Sequence, residues 1–261
     1  MMELIDSHAH YDDKRFDEEF EGGRDAALKK SFEAGVIAII NVATNTENMK
    51  TTLSLAEKYP NVYAAIGIHP EDCQNIGGDF DAELDVIEKN LSATKVVAVG
   101  EIGLDYYWKP YDRERQIYFF ERQLEIAKAR DLPVIIHCRD AIGDAVEIVK
   151  RHAGVRGVFH SYSGSAETVK ELLPLGWYFS FGGPITYKNA NKVRESARAV
   201  PPDRLLIETD CPYLPPVPHR GEINYSAYMF HTLDAMADAV GLDKETLAEK
   251  LVVNTKVLFG I

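Results

Sequence analysis

Leu4-Ile5-Asp6-Ser7-His8-Ala9-His10 is a short apolar run that ends in two histidines. Read as a strand, it sends alternate side chains to opposite faces, so His8 and His10 point the same way and can reach one metal ion. On their own they would be two ordinary polar residues at a strand end. The rest of the chain changes that reading. Glu101, His137, His160 and Asp210 each end or follow a later apolar run. Six potential ligands at the same end of strand-like elements are not the distribution of solvated polar residues.

Working outward, apolar or β-branched runs recur at 3–7, 36–42, 62–68, 96–100, 133–137, 156–160, 176–182 and 204–208. Helix-like segments alternate with them. The clearest is 112–130, where Ile117, Phe120, Leu124 and Ala127 fall at helical spacing. Others are 24–34, 47–59, 82–91, 141–152, 167–173, 190–199, 225–240 and 244–258. Eight strands alternating with helices predict a single (β/α)8 TIM-type barrel, with residues 1–261 as one domain. A doubly wound open sheet is the competing α/β architecture. An open sheet would scatter the six ligands across its width. A closed one gathers the C-terminal strand ends around one mouth, where barrel enzymes place their chemistry.

The chain is 46% hydrophobic and 27% charged, which suits a globular protein with one large core. No Gly/Ser-rich or Pro-rich linker or repeat divides it. A net charge of −12 excludes a broad electrostatic hold on nucleic acid. It leaves room for phosphate at a local metal site, because bound cations reverse the local potential. The acidic run Asp12, Asp13, Asp17, Glu18, Glu19 and Glu21 reads as a solvated loop or helix face. Lys188, Lys192, Arg194, Arg198 and Arg204 form either a solvated basic helix face or a polyanion contact. Cys73, Cys138 and Cys211 are too few and too scattered for a disulfide framework, and none has C-x-x-C spacing. With no leader-like start and no membrane-length apolar run, a cytoplasmic location is expected.

Imidazole and carboxylate together suit zinc, manganese, nickel and similar divalent ions. Six ligands exceed what one catalytic zinc takes from protein. They suit two ions sharing a carboxylate, and Glu101, from a strand midway round the ring, is the natural bridge. Two ions about 3.5–4 Å apart can hold a nucleophilic water and stabilise both oxygens of a phosphoryl displacement.

The segments IDSHAHYDD (5–13), AIGIHPED (65–72), VGEIGLDYYW (99–108), VIIHCRDA (134–141), FHSYSGS (159–165), YFSFGGPITYKNA (178–190) and LLIETDCPYLPPVPHRG (205–221) span essentially the whole chain. Together they resemble a TatD-family metal-dependent deoxyribonuclease, a branch of the amidohydrolase-like barrels. The resemblance implies a TIM-type barrel that hydrolyses DNA phosphodiester bonds with divalent metal. It also implies that His8, His10, Glu101, His137, His160 and Asp210 bind that metal: two ions per chain, of zinc, manganese, magnesium or nickel. Asp210 would orient the water and accept its proton, and Glu101 would bridge the ions. DNA would be the partner, as single strands or frayed ends, because an enclosed mouth favours exonuclease action. No membrane and no obligate protein partner is implied.

Other matched residues would border the same mouth. Arg139 can hold a phosphate as a bidentate donor, or form an ion pair with Asp140 or another carboxylate. His69 can contact substrate or assist proton transfer, or be a satisfied buried histidine. Ser163 and Arg220 lie in loops expected at the site. Tyr106, Tyr107 and Trp108 can stack a base or simply pack. Cys138 and Cys211 read as small apolar residues. One departure stands out. Where the family commonly continues after HRG with a basic Lys-Arg-Asn-Glu-Pro-like stretch, this chain reads Glu222-Ile223-Asn224-Tyr225-Ser226. That change keeps a second hydrolase reading open, on an aminoacyl-tRNA ester or another ester or amide. A non-catalytic metal-binding scaffold has no use for an open two-metal centre.

Overall fold

In the computed structural model, which describes residues 2–261, eight parallel strands pair in the order of the chain. They are β1 (Leu4–Ala9), β2 (Val36–Val42), β3 (Val62–Ile66), β4 (Val96–Asp105), β5 (Val134–Arg139), β6 (Gly157–Phe159), β7 (Tyr178–Phe181) and β8 (Leu205–Ile207). The ring closes just beyond β8. The Asp210 amide donates to the His8 carbonyl at 2.9 Å and the His10 amide to the Cys211 carbonyl at 2.8 Å. The molecule is therefore a (β/α)8 barrel.

Strand alternation divides the apolar residues between two cores. Ile40, Val42, Ala65, Ala98, Ile135, Val158 and Leu206 form an inner cluster joined by Leu258 and Phe259 of the last helix. Ile39, Val99, Val134, Ile136 and Leu205 face outward into the larger core shared with the helices. Helix Arg113–Ala129 shows why the sequence pattern was readable. Asp112 caps it by accepting the Arg115 amide at 3.0 Å, and it buries Phe119, Phe120, Leu124 and Ala127 on one side. Two short helices, Arg15–Glu19 and Pro70–Cys73, were not anticipated. Neither is long enough to show a period.

β4 runs five residues past the predicted 96–100. Gly100 and Gly103 both lie within the strand. A Cβ on Gly103, whose φ is +138°, would collide with the His137 carbonyl oxygen, so glycine lets β4 run against β5 there. Between the pairs Val99↔Val134 and Ile102↔Ile136, β4 spends one more residue than β5. β1 does the same between Asp6↔Ile39 and Ala9↔Asn41. Such bulges re-aim side chains. They fall at Gly100–Glu101 and Ser7–His8, where two of the chemical groups emerge.

Candidate metal centre

His8 lies in β1 and His10 just after it; Glu101 lies in β4 and His137 in β5; His160 follows β6 and Asp210 follows β8. All six converge at the C-terminal mouth. The Glu101 carboxylate is at the centre, and its two oxygens face two different groups. Oε2 lies 3.4 Å from His8 Nε2 and 3.5 Å from His10 Nε2. Asp210 Oδ1 closes this side, 3.6 Å from His8 Nε2 and 3.4 Å from His10 Nε2. Oε1 lies 2.8 Å from both His137 Nδ1 and His160 Nε2. His69 Nε2 stands further off, at 3.5 Å.

The nitrogens within each side also face one another, at 3.0 Å for His8 and His10 and 3.3 Å for His137 and His160. Two imidazole nitrogens bound to one zinc at about 2.0–2.1 Å sit roughly 3.3 Å apart at a tetrahedral angle. The spacing therefore fits donors converging on a common cation. The electrostatics agree. Burial alone would raise the Glu101 carboxyl, but the imidazoles of His160, His69 and His8 overcome it and hold the group well below the usual carboxylate range. Burial likewise opposes charge on His10, yet Asp210 and Glu101 lift that imidazole to about 10. Burial opposes charge on His160 too, and Glu101 and Glu208 raise it. The pocket calls for positive charge, and a divalent ion answers the same demand.

A further set of residues supports these donors. Asp105 Oδ2 lies 3.0 Å from His137 Nε2, on the far edge of that ring. Glu208 lies 3.5 Å from His160 Nδ1 and accepts the Ser161 amide at 2.7 Å and the Ser180 hydroxyl. On the other side, His10 Nδ1 meets the Val42 carbonyl at 2.8 Å. His8 Nδ1 is buried with no hydrogen-bond partner, and so is His160 Nδ1, since Glu208 stands near it without forming a hydrogen bond. Sequence reasoning missed Asp105 and Glu208. The available signal was position: each is an acidic residue close in the chain to an expected ligand.

The donors lie at the base of a cleft of about 580 Å³, walled by Thr44, Glu71, Asp72, Trp108, Tyr213 and Leu214 among others. His69 and Arg139 line it too. The Arg139 guanidinium carbon lies over the Tyr107 ring, 3.6 Å from its centroid, and 5.5 Å from that of Trp108. A guanidinium stacked by its face presents its N–H edge sideways, as phosphate recognition requires. Of the aromatic triplet, Trp108 lines the cleft, Tyr107 carries Arg139, and Tyr106 turns away to donate to Asp144 at 2.7 Å.

Two expected neighbours lie elsewhere. Ser163 lines a side recess of about 100 Å³ with Cys138, Lys192 and the back of His160. Arg220 stacks over Tyr187 at 4.1 Å. The acidic run is not wholly solvated: Asp12 accepts from Asn41 at 2.9 Å and Asp13 from Tyr213 at 2.7 Å. Nor is the basic stretch a continuous polyanion face. Arg194 and Arg198 donate to the Tyr187 and Ala239 carbonyls, and Arg204 lies over Tyr178. In the divergent loop only Glu222 is turned to solvent at its acidic tip. Asn224 and Ser226 are fully buried, holding the Thr209 carbonyl at 2.9 Å and the Asp6 carboxylate at 2.7 Å. No helix among the described residues is long and apolar enough to cross a membrane.

Comparison with known proteins agrees with this arrangement. The TatD related DNase family model matches residues 5–260. YabD of Bacillus subtilis, described as an uncharacterized metal-dependent hydrolase, is 38% identical over 99% of both chains. YcfH of Escherichia coli K12, described in the same words, is 38% identical over 100% of this chain and 97% of its own. The solved structure of YjjV, a TatD homologue from Escherichia coli K12, is 35% identical, covers 99% of this chain and 98% of that one, and superposes with a TM-score of 0.91. Matched over essentially its whole length by the family model and by these relatives, this chain belongs to the TatD family of metal-dependent hydrolases.

Proposed function

We propose that the protein hydrolyses phosphodiester bonds of DNA from strand ends, using two divalent ions held on either side of Glu101. The observation that carries this reading is the division of the Glu101 carboxylate, one oxygen toward His8 and His10 and the other toward His137 and His160. Zinc, manganese, magnesium or nickel bound there would polarise a phosphoryl oxygen and make a water acidic near neutral pH. The chain supplies the rest. Asp210 is kept ionised against its burial by His10 and His8, so it can orient that water and accept its proton. Arg139 binds a phosphate oxygen by its N–H edge. Trp108, 54% exposed on the cleft wall, offers a terminal base a face to stack on.

Depth supports the preference for ends. Glu101 and His8 are buried beneath walls that include Trp108, Tyr213 and Leu214, and the middle of a duplex cannot descend between them. A cytoplasmic setting belongs to the same proposal, since Cys73, Cys138 and Cys211 are all free. One observation favours a second reading. Glu71 and Asp72 stand on the cleft wall beside Arg139. That acidic rim suits a small ester or amide, or an aminoacyl ester on tRNA, better than a long polyanion.

The test is turnover by metal-loaded protein on single strands, blunt duplexes, closed circles, RNA, aminoacyl-tRNA and simple esters. End-directed DNA cleavage, abolished by chelation and restored by manganese, magnesium or zinc, is the expected result. Efficient nicking of closed circles overturns the end preference. Rapid turnover of an ester with no DNA cleavage selects the second reading.

A further inference from the structure

His69 differs from the other imidazoles of the cleft in what its inner nitrogen meets. It caps helix Pro70–Cys73, and its Nδ1 accepts the Glu71 amide at 3.1 Å. A backbone N–H can only donate, so Nδ1 presents a lone pair and carries no proton. In the neutral ring the proton is then on Nε2. The segment is held tightly enough to keep this arrangement. The His69 amide donates to the Thr44 carbonyl at 2.8 Å. The buried Gln123 accepts the Ile68 amide at 2.7 Å and donates to the Ile68 carbonyl at 3.0 Å.

Nε2 faces the cleft, 3.5 Å from Glu101 Oε1, beyond the usual N–H···O range of about 2.7–3.2 Å. His137 and His160 reach the same oxygen at 2.8 Å. We propose that His69 is a catalytic hydrogen-bond donor, fixed as the Nε2–H form, that binds a phosphoryl oxygen of the substrate. It is neither a metal ligand nor a general base. This rests on the phosphodiester reading above.

The two excluded roles fail for one reason. His69, Glu101 and His137 are close enough to hold a shared cation, but a protonated Nε2 has no lone pair to give. Moving the proton to Nδ1 would set two donors, that N–H and the Glu71 amide, against each other. A general base needs the same lone pair on Nε2. A donor that stays neutral suits a site where negative charge develops on oxygen, and it needs no reorganisation as the reaction proceeds.

Three measurements on one set of proteins decide this. Nitrogen-15 NMR of the zinc-loaded protein at the pH of the assay should show His69 with its proton on Nε2 and none on Nδ1, with its resonance moving as inorganic phosphate is added. His69→Ala should lose about 10²-fold in kcat/KM on single-stranded DNA, the usual scale for one such donor. It should keep its full metal content and both limbs of the pH–rate profile. His69→Gln, which offers an N–H at similar reach, should recover part of the loss and guards against a folding artefact. Protonation at Nδ1, loss of a metal equivalent, loss of a pH limb or an unchanged rate would each overturn the proposal. If the wild-type protein cleaves no DNA, the DNA reading fails, while the tautomer and its response to phosphate still decide the role of His69.

Discussion

The two sides of Glu101 offer the same number of imidazoles and support them differently. His137 and His160 are backed by carboxylates: Asp105 at 3.0 Å from one, and Glu208 at 3.5 Å from the other. His10 is backed by the Val42 carbonyl; His8 Nδ1 and His160 Nδ1 both lack a hydrogen-bond partner, and only the second has a carboxylate close behind it. An anionic partner on the far nitrogen orients an imidazole and makes it a stronger donor toward a metal. The His8–His10 side has Asp210 instead, a carboxylate 3.6 and 3.4 Å from its two imidazoles. Under the proposed function, one side would hold a cation in place and the other would let chemistry occur beside one.

The severest break in this comparison is Glu101→Gln, which strikes both sides at once. A neutral amide is a poor bridge between cations. Elemental analysis and anomalous diffraction should show metal lost or the pair disrupted, with hydrolysis at background. Unchanged occupancy and turnover would show that the two sides do not depend on a shared carboxylate. Asp210→Asn strikes the His8–His10 side alone. It should cost about 10²–10⁴ in single-turnover rate at saturating metal, with little change in separately measured substrate binding. A near-normal rate would remove Asp210 from the proton's path.

Asp105→Asn sharpens the contrast from the other side. Removing a charged outer partner typically costs about 10–100-fold in metal affinity. Calorimetric titration of metal into the apo-protein should show one class of site weakened by that factor and the other unmoved. Equal weakening of both would erase the distinction. The smallest effect should be that of salt on DNA cleavage. The slope of log affinity against log salt scales as about −0.7 per phosphate contacted on a single strand. With Arg139 the one cationic side chain among the described residues of the cleft wall, a slope of roughly −0.7 is expected from it, and one steeper than about −2 would reveal a basic surface elsewhere.

The barrel was legible because its strands are apolar runs of the right length and its helices carry a 3.6-residue period. What blurred was local. Gly100 and Gly103 look like the end of a strand, and only the neighbouring β5 backbone explains why they sit inside β4. The six expected ligands were legible because each stands beside an apolar run, and all six meet at the mouth. Asp105 and Glu208 were missed because their role depends on which edge of a neighbouring ring they face, and that is decided by rotamer and packing. Ser163 and Arg220 were expected at the cleft because their loops follow barrel strands. Loop membership does not set side-chain direction, and these two turn to a side recess and to Tyr187. In the basic stretch Lys188, Lys192 and Arg198 are exposed, as a solvated helix face requires, while the carbonyl partners of Arg194 and Arg198 could not be read from sequence.

The seam between β1 and β8 has a bearing on how the enzyme comes into being. Asp6 is bonded to Thr209, 203 residues later, and to Ser226, 220 residues later. His8 and Asp210 meet across the same line. Chains emerge from the ribosome N-terminus first. A nascent polypeptide therefore carries five of the six convergent groups well before Asp210 is made, and its ring cannot close until the stretch from Thr209 to Cys211 has followed β8. A mouth stitched together from the two ends of the chain is completed only late in synthesis, and a copy that stops short of Asp210 lacks one of its six convergent groups.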